Sequence, residues 1–270
     1  GIEDDFSAVN YDRDEHRRAV VSDMKKRWIH NSLGNKYHAI LATSSIAEAV
    51  DYYHLLKEEM PNLKITCLFD PTTIDGDENE DGIGRRLTPA EKEHALVEIF
   101  KDYKQQFGVE YNLAQHRLFK KDLAQRLAHK KPYLNLEPEL QLNILVVVWQ
   151  MLTGYDSKWV NTLYLDKELK NEHLIQAFSR TNRLSGIDKQ NGIIRYYRYP
   201  HSMKRNVDEA FKLYSGDKPF DLFVLKLPEN LEGLNQTYIE LQELFNNCGI
   251  NNFEHLPEEK ADKAKFAQLF

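Results

Sequence analysis

Cysteine is almost missing: Cys67 and Cys248 are the only two in 270 residues, far apart and outside any metal-type spacing. That excludes a disulfide framework and a cysteine-ligated metal, and it fits two reduced thiols in a cytoplasmic protein. No apolar run approaches the roughly 18 residues of a membrane span, and no signal-peptide pattern opens the chain. An excess of base is missing too. The net charge is −6, so contact with nucleic acid needs a local patch and not a global field. Neither G-x-x-x-x-G-K-[ST] nor an Asp-Glu pair closing a strand of a second nucleotide lobe occurs, so the chain has no phosphate loop of its own.

What is present centres on residues 144–183. An apolar run from Ile144 to Val148 leads into WQMLTGYD, then VNTLYLD, then NEHLIQAFSRTNRL. The pattern predicts a buried strand, a loop holding Gly154 and Asp156, a second strand ending at Asp166, and a helix carrying Gln176, Arg180 and Arg183. At about 100° per residue these three side chains fall within about 60° of one another, with Leu174, Ala177, Phe178 and Thr181 opposite. Asn171 is the expected N-cap, Glu172 suits the positive end of the helix, and Ser185-Gly186 is the expected stop. Two guanidiniums on one face can meet two oxygens of a polyphosphate. A solvated basic face making surface ion pairs is the other reading of the same spacing.

The wider sequence decides between them. QAFSRTNR resembles motif VI of superfamily 2 helicases, and LTGYD followed by a strand ending in Asp166 resembles motif V. LTGYDSKWVNTLYLDKELKNEHLIQAFSRTNRL is similar to the motor segment of the R subunit of type I restriction enzymes. The similarity extends from about Lys36 to Pro257 and is most specific over residues 144–199. It implies an α/β fold of RecA-like (P-loop NTPase) type, a parallel sheet with helices on both faces, followed by a small all-helical region.

Along the chain, residues 12–30 read as a helix capped by Asp12, with Val20, Met24 and Trp28 at helical spacing. The resemblance makes residues 1–35 a linker helix, 36–200 a second RecA-like helicase domain with an insertion at about 70–135, and 201–270 the start of a helical domain. KYHAILAT is a short strand, and Ser45-Ile-Ala-Glu48 is a capping box that opens a helix to about Met60. Thr43, Ser44 and Ser45 stand where open α/β sheets bind ligands, and this position resembles motif IV, which meets the nucleic-acid backbone. Capping alone is the plainer role for these hydroxyls.

After a strand over Lys64–Phe69 comes TTIDGDENEDGIG, with five acids, three glycines and no calcium-loop spacing, which reads as a solvated loop. Thr88-Pro89 starts a helix to about Phe107. A further helix at about Gln115–His129 carries Arg117, Lys120, Lys121 and Arg126, with Lys130 and Lys131 just beyond, in the most basic segment of the chain. Asn191-Gly192 turns into the strand IIRYY, Pro200 breaks it, and helices are expected at 203–214, 229–246 and 258–270. Residues 220–227 fit strand or helix.

By resemblance, Arg180 and Arg183 are arginine fingers, Gln176 orients water or the nearer arginine, and Gly154 and Asp156 couple the motif V loop to the nucleotide. Thr43, Ser44, Ser45, Lys120 and Lys121 are the DNA-contacting candidates. ATP and Mg²⁺ would be bound mainly by a first motor domain, with no cofactor and no metal ligand in this chain. The implied partners are double-stranded DNA and the methyltransferase and specificity subunits, with no membrane.

One departure is visible: the family's usual motif V threonine at the strand end is Val148 or Trp149 here. Glu258-Glu259-Lys260, a loose echo of a nuclease Glu-x-Lys site, opens a charged surface helix and reads as chance. A non-catalytic docking lobe and another superfamily 2 translocase are the alternatives. Gly1 in place of Met, and an amphipathic pattern that is still running at Phe270, suggest a piece of a longer protein. The chain alone is accordingly expected to show no ATPase, no nuclease and weak DNA affinity at most. ATP turnover by residues 1–270 in isolation would refute this.

Overall fold

The computed structural model describes residues 11–72, 85–152, 155–181, 189, 191–215, 227–251 and 253–269. Five strands form one sheet: β1 (His38–Thr43), β2 (Ile65–Leu68), β3 (Ile144–Val147), β4 (Val160–Asp166) and β5 (Ile193–Tyr196). Their order is β2-β3-β1-β4-β5, and every pairing is parallel. Register is carried across the centre, where Ile40 opposes Leu145 on one side and Leu163 on the other.

Successive residues of a strand point to opposite faces. Every residue of β1, β3 and β4 is buried, so both faces of the central sheet are covered. This is the RecA-like α/β arrangement.

Helices α1 (Asp14–Asn31), α2 (Ile46–Glu59), α3 (Pro89–Phe107) and α4 (His116–Leu127) supply much of that cover. Val20, Val21, Met24 and Trp28 of α1 sit in the same core as the strands. Asn31 fastens the helix further, donating to Tyr164 Oη at 3.1 Å and accepting from Asn161 at 2.7 Å. The expected linker helix is therefore built into the sheet's cover. Its expected cap is also different. Arg13 is the N-cap without a side-chain bond, and Asp12 pairs with Arg17 at 3.0 Å.

The supposed insertion is, from Pro89 onward, the crossover that joins β2 to adjacent β3. Leu96, Ile99, Phe100 and Tyr103 of α3, with Phe119, Leu123 and Leu127 of α4, belong to the central core. Thr88 and Glu91 make a complete capping box at the start of α3, and Gly108 ends it in the left-handed conformation at φ +72°. The acidic stretch at 73–84 lies outside the described residues.

Helices α5 (Asn171–Phe178), α6 (Pro200–Ser215), α7 (Leu227–Asn247) and α8 (Lys260–Leu269) complete the chain. Pro200 opens α6, where its ring suits the first turn. Two compact units emerge, Gly1–Phe211 and Lys212–Phe270. The second has its own small core of Leu244, Phe245 and Ile250, with Phe266 and Leu269 packed against it. Most of the undecided stretch at 220–227 is outside the described residues.

Beneath the N-terminal ends of β1 and β4, His38 and His129 place their Nε2 atoms 2.8 Å apart, and His129 stacks on Trp159 at 4.1 Å. One ring must donate and the other accept. Burial, then the neighbouring His129, pushes His38 down from 6.5 to about 3. Burial, then Lys158, pushes His129 down to about 4. An unfolded histidine takes up a proton below about 6.5, while the folded pair stays neutral, so the unfolded state binds more protons there. Stability should therefore fall as pH drops from about 6.5 toward 4, with His38 contributing up to about 1.4 kcal/mol per pH unit. Urea unfolding across that window checks this. His38→Leu should flatten the decline, and an unchanged slope in the variant would show that the pair is not its source.

Candidate functional site

The chain leaves β1 through α2 toward β2 at one edge of the sheet, and leaves β4 through α5 toward β5 at the other edge. Neighbouring strands whose connections part in this way open a crevice at their C-terminal ends, the usual place for a ligand. Here the crevice is filled by the chain itself. Thr43 is fully buried, and its hydroxyl donates to Ser45 O at 3.1 Å and Val147 O at 3.3 Å. Ser44 Oγ donates to Asp166 O at 3.3 Å, and Ser45 Oγ accepts from the Glu48 amide at 3.2 Å. Thr43 is thus a strand-to-helix latch and not a surface hydroxyl, which corrects its place among the DNA contacts. Ser44 and Ser45 remain half-buried.

Below these hydroxyls lies a charge cluster. Asp166, with no exposed surface, receives Arg198 Nε at 3.1 Å and Nη2 at 3.2 Å, Tyr52 Oη at 2.7 Å and His16 Nε2 at 2.7 Å. Arg198 Nη2 also reaches Glu48 Oε1 at 2.8 Å, and Glu48 Oε2 accepts from the Ser44 amide at 3.1 Å. Glu48 therefore closes only half of the expected capping box, its carboxylate being drawn to Arg198. Burial would push the Asp166 carboxyl up, but the His16 hydrogen bond and the Arg198 charge hold it down at about 2. For Glu48 burial wins over Arg198, and its carboxyl is raised. With one guanidinium between two carboxylates, Asp166 keeps the charge.

A second feature is open. A cleft of about 960 Å³ has Arg117, Lys120 and Lys121 of α4 on one wall and Trp149, Gln150 and Tyr155 of the loop after β3 on the other. All three bases are exposed, as are Lys130 and Lys131. Arg126, from the same basic segment, is not: it bonds Tyr103 Oη at 2.9 Å and Leu140 O at 3.0 Å beneath the aromatic rings of Phe107 and Tyr133. Lys167 holds the loop in place. Its buried ammonium lies 3.3 Å from the Trp149 ring centre and donates to Val148 O at 3.0 Å. Met151 adopts a left-handed backbone at φ +67°, a strained state for a side chain of its size. Asp156 is exposed near the end of this loop, and Gly154 lies outside the described residues.

The third feature is the end of α5. The helix stops at Phe178, not beyond Arg183, because hydroxyls compete for its last carbonyls. Ser179 Oγ donates to Gln176 O at 2.7 Å and Thr181 Oγ1 to Phe178 O at 3.2 Å. The amides of Arg180 and Thr181 then bond three residues back, at 3.0 and 3.3 Å, in a tight turn. Arg180 folds over this turn, with Nε on Gln176 O at 2.9 Å and Nη2 on Ser179 Oγ at 2.7 Å.

Asn171 is the first helical residue, and Lys170 stands in the cap position without a side-chain capping hydrogen bond. Arg183 and the Ser185-Gly186 stop lie outside the described residues. Gly192 is more than a turn residue, since a Cβ there would fall 2.5 Å from Thr181. Only glycine lets β5 begin this close to the Arg180 turn. On the other side, Asn206 of α6 bonds Glu168 and Leu169 O, clamping the β4–α5 link.

Sequence reasoning missed Arg198, Lys167 and the second role of Glu48. One signal was available: an acid that ends a buried strand needs a buried cation, and Arg198 follows the next strand. The structure brings Lys120 and Lys121 together with the loop after β3, and it joins Ser44 to Asp166. Among the described residues no group of His, Cys, Asp and Glu could hold a metal ion.

Comparison with known proteins bears on this geometry. The family model for type I restriction enzyme subunit R domain 3 matches residues 35–199, which include β1 to β5 and the described residues of all three features except His16. The endonuclease subunit of the type I restriction enzyme SsaAORF53P of Staphylococcus saprophyticus is 33% identical over 196 residues, covering 71% of this chain and 20% of its own length. The N-terminal part of a putative MpnIIP endonuclease subunit from Mycoplasma pneumoniae is 35% identical over 120 residues, 44% of this chain and 31% of that protein. A putative MjaIXP endonuclease subunit of Methanocaldococcus jannaschii is 28% identical over 123 residues, 46% and 11% of the two chains. The chain belongs to the type I restriction enzyme R-subunit family. It spans about a fifth of the length of its staphylococcal relatives.

The charge cluster yields a stability prediction. Arg198→Ala would leave two buried carboxylates facing one another, which costs roughly 3–5 kcal/mol when one partner of a buried pair is removed. Urea denaturation at neutral pH measures it, and a loss below about 1 kcal/mol would mean that water replaces the guanidinium.

Proposed function

We propose that this chain is the second RecA-like lobe of an ATP-driven double-stranded-DNA translocase, acting within the R subunit of a type I restriction-modification system in the cytoplasm. One observation carries the reading: the helix that follows β4 ends at Phe178, and the turn after it carries Arg180, inside a stretch that the family model covers. In such an enzyme a nucleoside triphosphate with Mg²⁺ supplies the driving reaction, and both would be bound mainly by the other lobe.

The chain's own part is charge and position. Arg180 and Arg183 stabilise the negative charge that develops on the transferred phosphoryl oxygens. Gln176, whose carbonyl already holds Arg180, orients the water or the nearer arginine. Gly154 lets the loop backbone approach a partner, and Asp156 anchors that loop or senses the nucleotide. Lys120 and Lys121 meet the DNA backbone, with Ser44 and Ser45 bordering it. Opening and closing of the cleft between the lobes steps the DNA along. Methyltransferase and specificity subunits are the partners that the family implies.

A non-catalytic docking lobe is the competing reading, and the return of Arg180 to its own helix favours it. One variant separates the two. Arg180→Ala in the full-length subunit should lower DNA-stimulated ATPase by about 10³-fold or more, the scale of an arginine finger, while folding and DNA binding persist. ATPase within a factor of three of the parent would leave only the docking lobe.

A further inference from the structure

Helix α3 buries one side in the central core, and a neighbouring stripe of it turns outward. Val97, Phe100, Lys101 and Lys104 stand at i, i+3, i+4 and i+7 and so share a face. Gly108 ends the helix in the left-handed conformation, and the chain after it comes back against α3. Tyr111 then lies 6.4 Å from the Phe100 ring and 6.0 Å from the Tyr103 ring. A groove of about 630 Å³ separates the two, with the α3 stripe as one wall and residues 110–114 as the other. It shares no residue with the three features described above.

Its floor is packed and its rims are apolar. Phe100 and Tyr111 both meet Phe119, at 5.1 and 5.5 Å, so the floor belongs to an aromatic group already in place. Val97 is 53% exposed on one wall and Leu113 39% exposed on the other. Single apolar residues on a surface need no explanation, but two rims joined by an aromatic floor leave a continuous apolar strip. Charge falls at the same place. Lys104 reaches across to Glu110 at 2.7 Å, with both partners more than half exposed, so water screens the pair. Lys101 is exposed and has no ion pair among the described residues. Two lysines against one glutamate leave the groove with a cation in excess, in a chain whose net charge is −6.

We propose that this groove docks an acidic, amphipathic peptide segment of a partner protein. Two apolar side chains settle over Phe100 and Tyr111 between Val97 and Leu113, and a carboxylate beside them meets Lys101. The apolar strip selects a peptide, because it climbs from the floor onto both rims and suits a chain laid across it, whereas small-ligand sites enclose most of their ligand. The uncommitted lysine selects acid and repels base. A second copy pairing through the same groove would bring its lysines against these. The proposal does not rest on the translocase reading, since no residue assigned a role there lines the groove.

The test is a ¹H–¹⁵N NMR titration of residues 1–270 with two short synthetic peptides. One carries two leucines a helical turn apart among glutamates, and in the other every glutamate is lysine. The amide signals of Val97, Lys101 and Leu113 should move with the glutamate peptide, at a Kd of roughly 1 mM or tighter, and stay still with the lysine peptide. Lys101→Glu should weaken the first peptide at least about fivefold and let the second bind. Val97→Ser should weaken the first roughly threefold to tenfold. Both side chains are exposed, so each variant should melt with the parent chain.

Stationary signals at these three residues with about 1 mM glutamate peptide overturn the docking groove. Shifts confined to Arg117, Lys120 and Lys121 overturn it as well, because they report charge without the apolar strip. An equal response to the lysine peptide removes the acidic partner. Full displacement of the glutamate peptide by equimolar octanoate makes the groove a small-carboxylate site instead. A concentration-dependent dimer that Val97→Ser abolishes assigns the groove to a second copy of the chain and ends the proposal.

Discussion

Asp166 is a carboxylate at the end of a fully buried strand, and the C-terminal edge of the sheet depends on how its charge is met. A lone ion there would cost several kcal/mol, so it must be neutralised or surrounded by donors. Arg198 approaches it side-on through two nitrogens, and Tyr52 and His16 add two more donors. These four residues come from α1, α2, β4 and the exit of β5. A single cluster therefore ties the first helix, the helix after β1 and the last strand to one point. Satisfied networks of this kind fix a unique arrangement more than they add net stability.

That fixed edge decides what is left for function. Because Glu48 is drawn to Arg198 and Ser44 to Asp166, the crevice between β1 and β4 is closed by its own polar groups. Open space shifts one strand over, to the loop after β3 and the basic face of α4. Lys167, next in sequence to Asp166, reaches the other way and holds Val148 and Trp149. Neighbouring residues at the end of one strand thus serve opposite tasks. One seals the sheet edge, and the other shapes the wall of the cleft.

Much of this was legible in the residues. The apolar run at Ile144 and the strand ending at Asp166 follow from composition and period. The start of α3 follows from Thr88, Pro89 and Glu91, and its stop from Gly108, because caps and punctuation act locally. The Arg198 cluster was not legible, since Arg198 and Glu48 lie 150 residues apart and only the fold brings them together. IIRYYRY reads equally well as a strand with alternating exposure. The end of α5 was missed for the opposite reason, a strictly local one. The amphipathic period runs on through Arg183, but Ser179 and Thr181 offer the last carbonyls a rival set of bonds, and periodicity cannot see that competition. Thr43 was misjudged because a hydroxyl at a strand end looks alike whether it faces solvent or bonds Val147 O.

The resting place of Arg180 makes physical sense under the translocase reading. A guanidinium over a helix C-terminus is stabilised by the partial negative charge of the final carbonyls, by up to about 1 kcal/mol at the surface. Its bonds to Gln176 O and Ser179 Oγ join a cation to neutral acceptors. Each such bond is worth roughly 1.5–3 kcal/mol. A phosphate oxygen at about 4 Å offers about 4 kcal/mol per unit charge at an effective dielectric of 20, and more once water is excluded. The two sides are comparable in size, so the helix end holds the arginine at rest and an anion brought against it competes for the same guanidinium. Under that reading, an arginine stored in this way would engage only once an anion is brought against it.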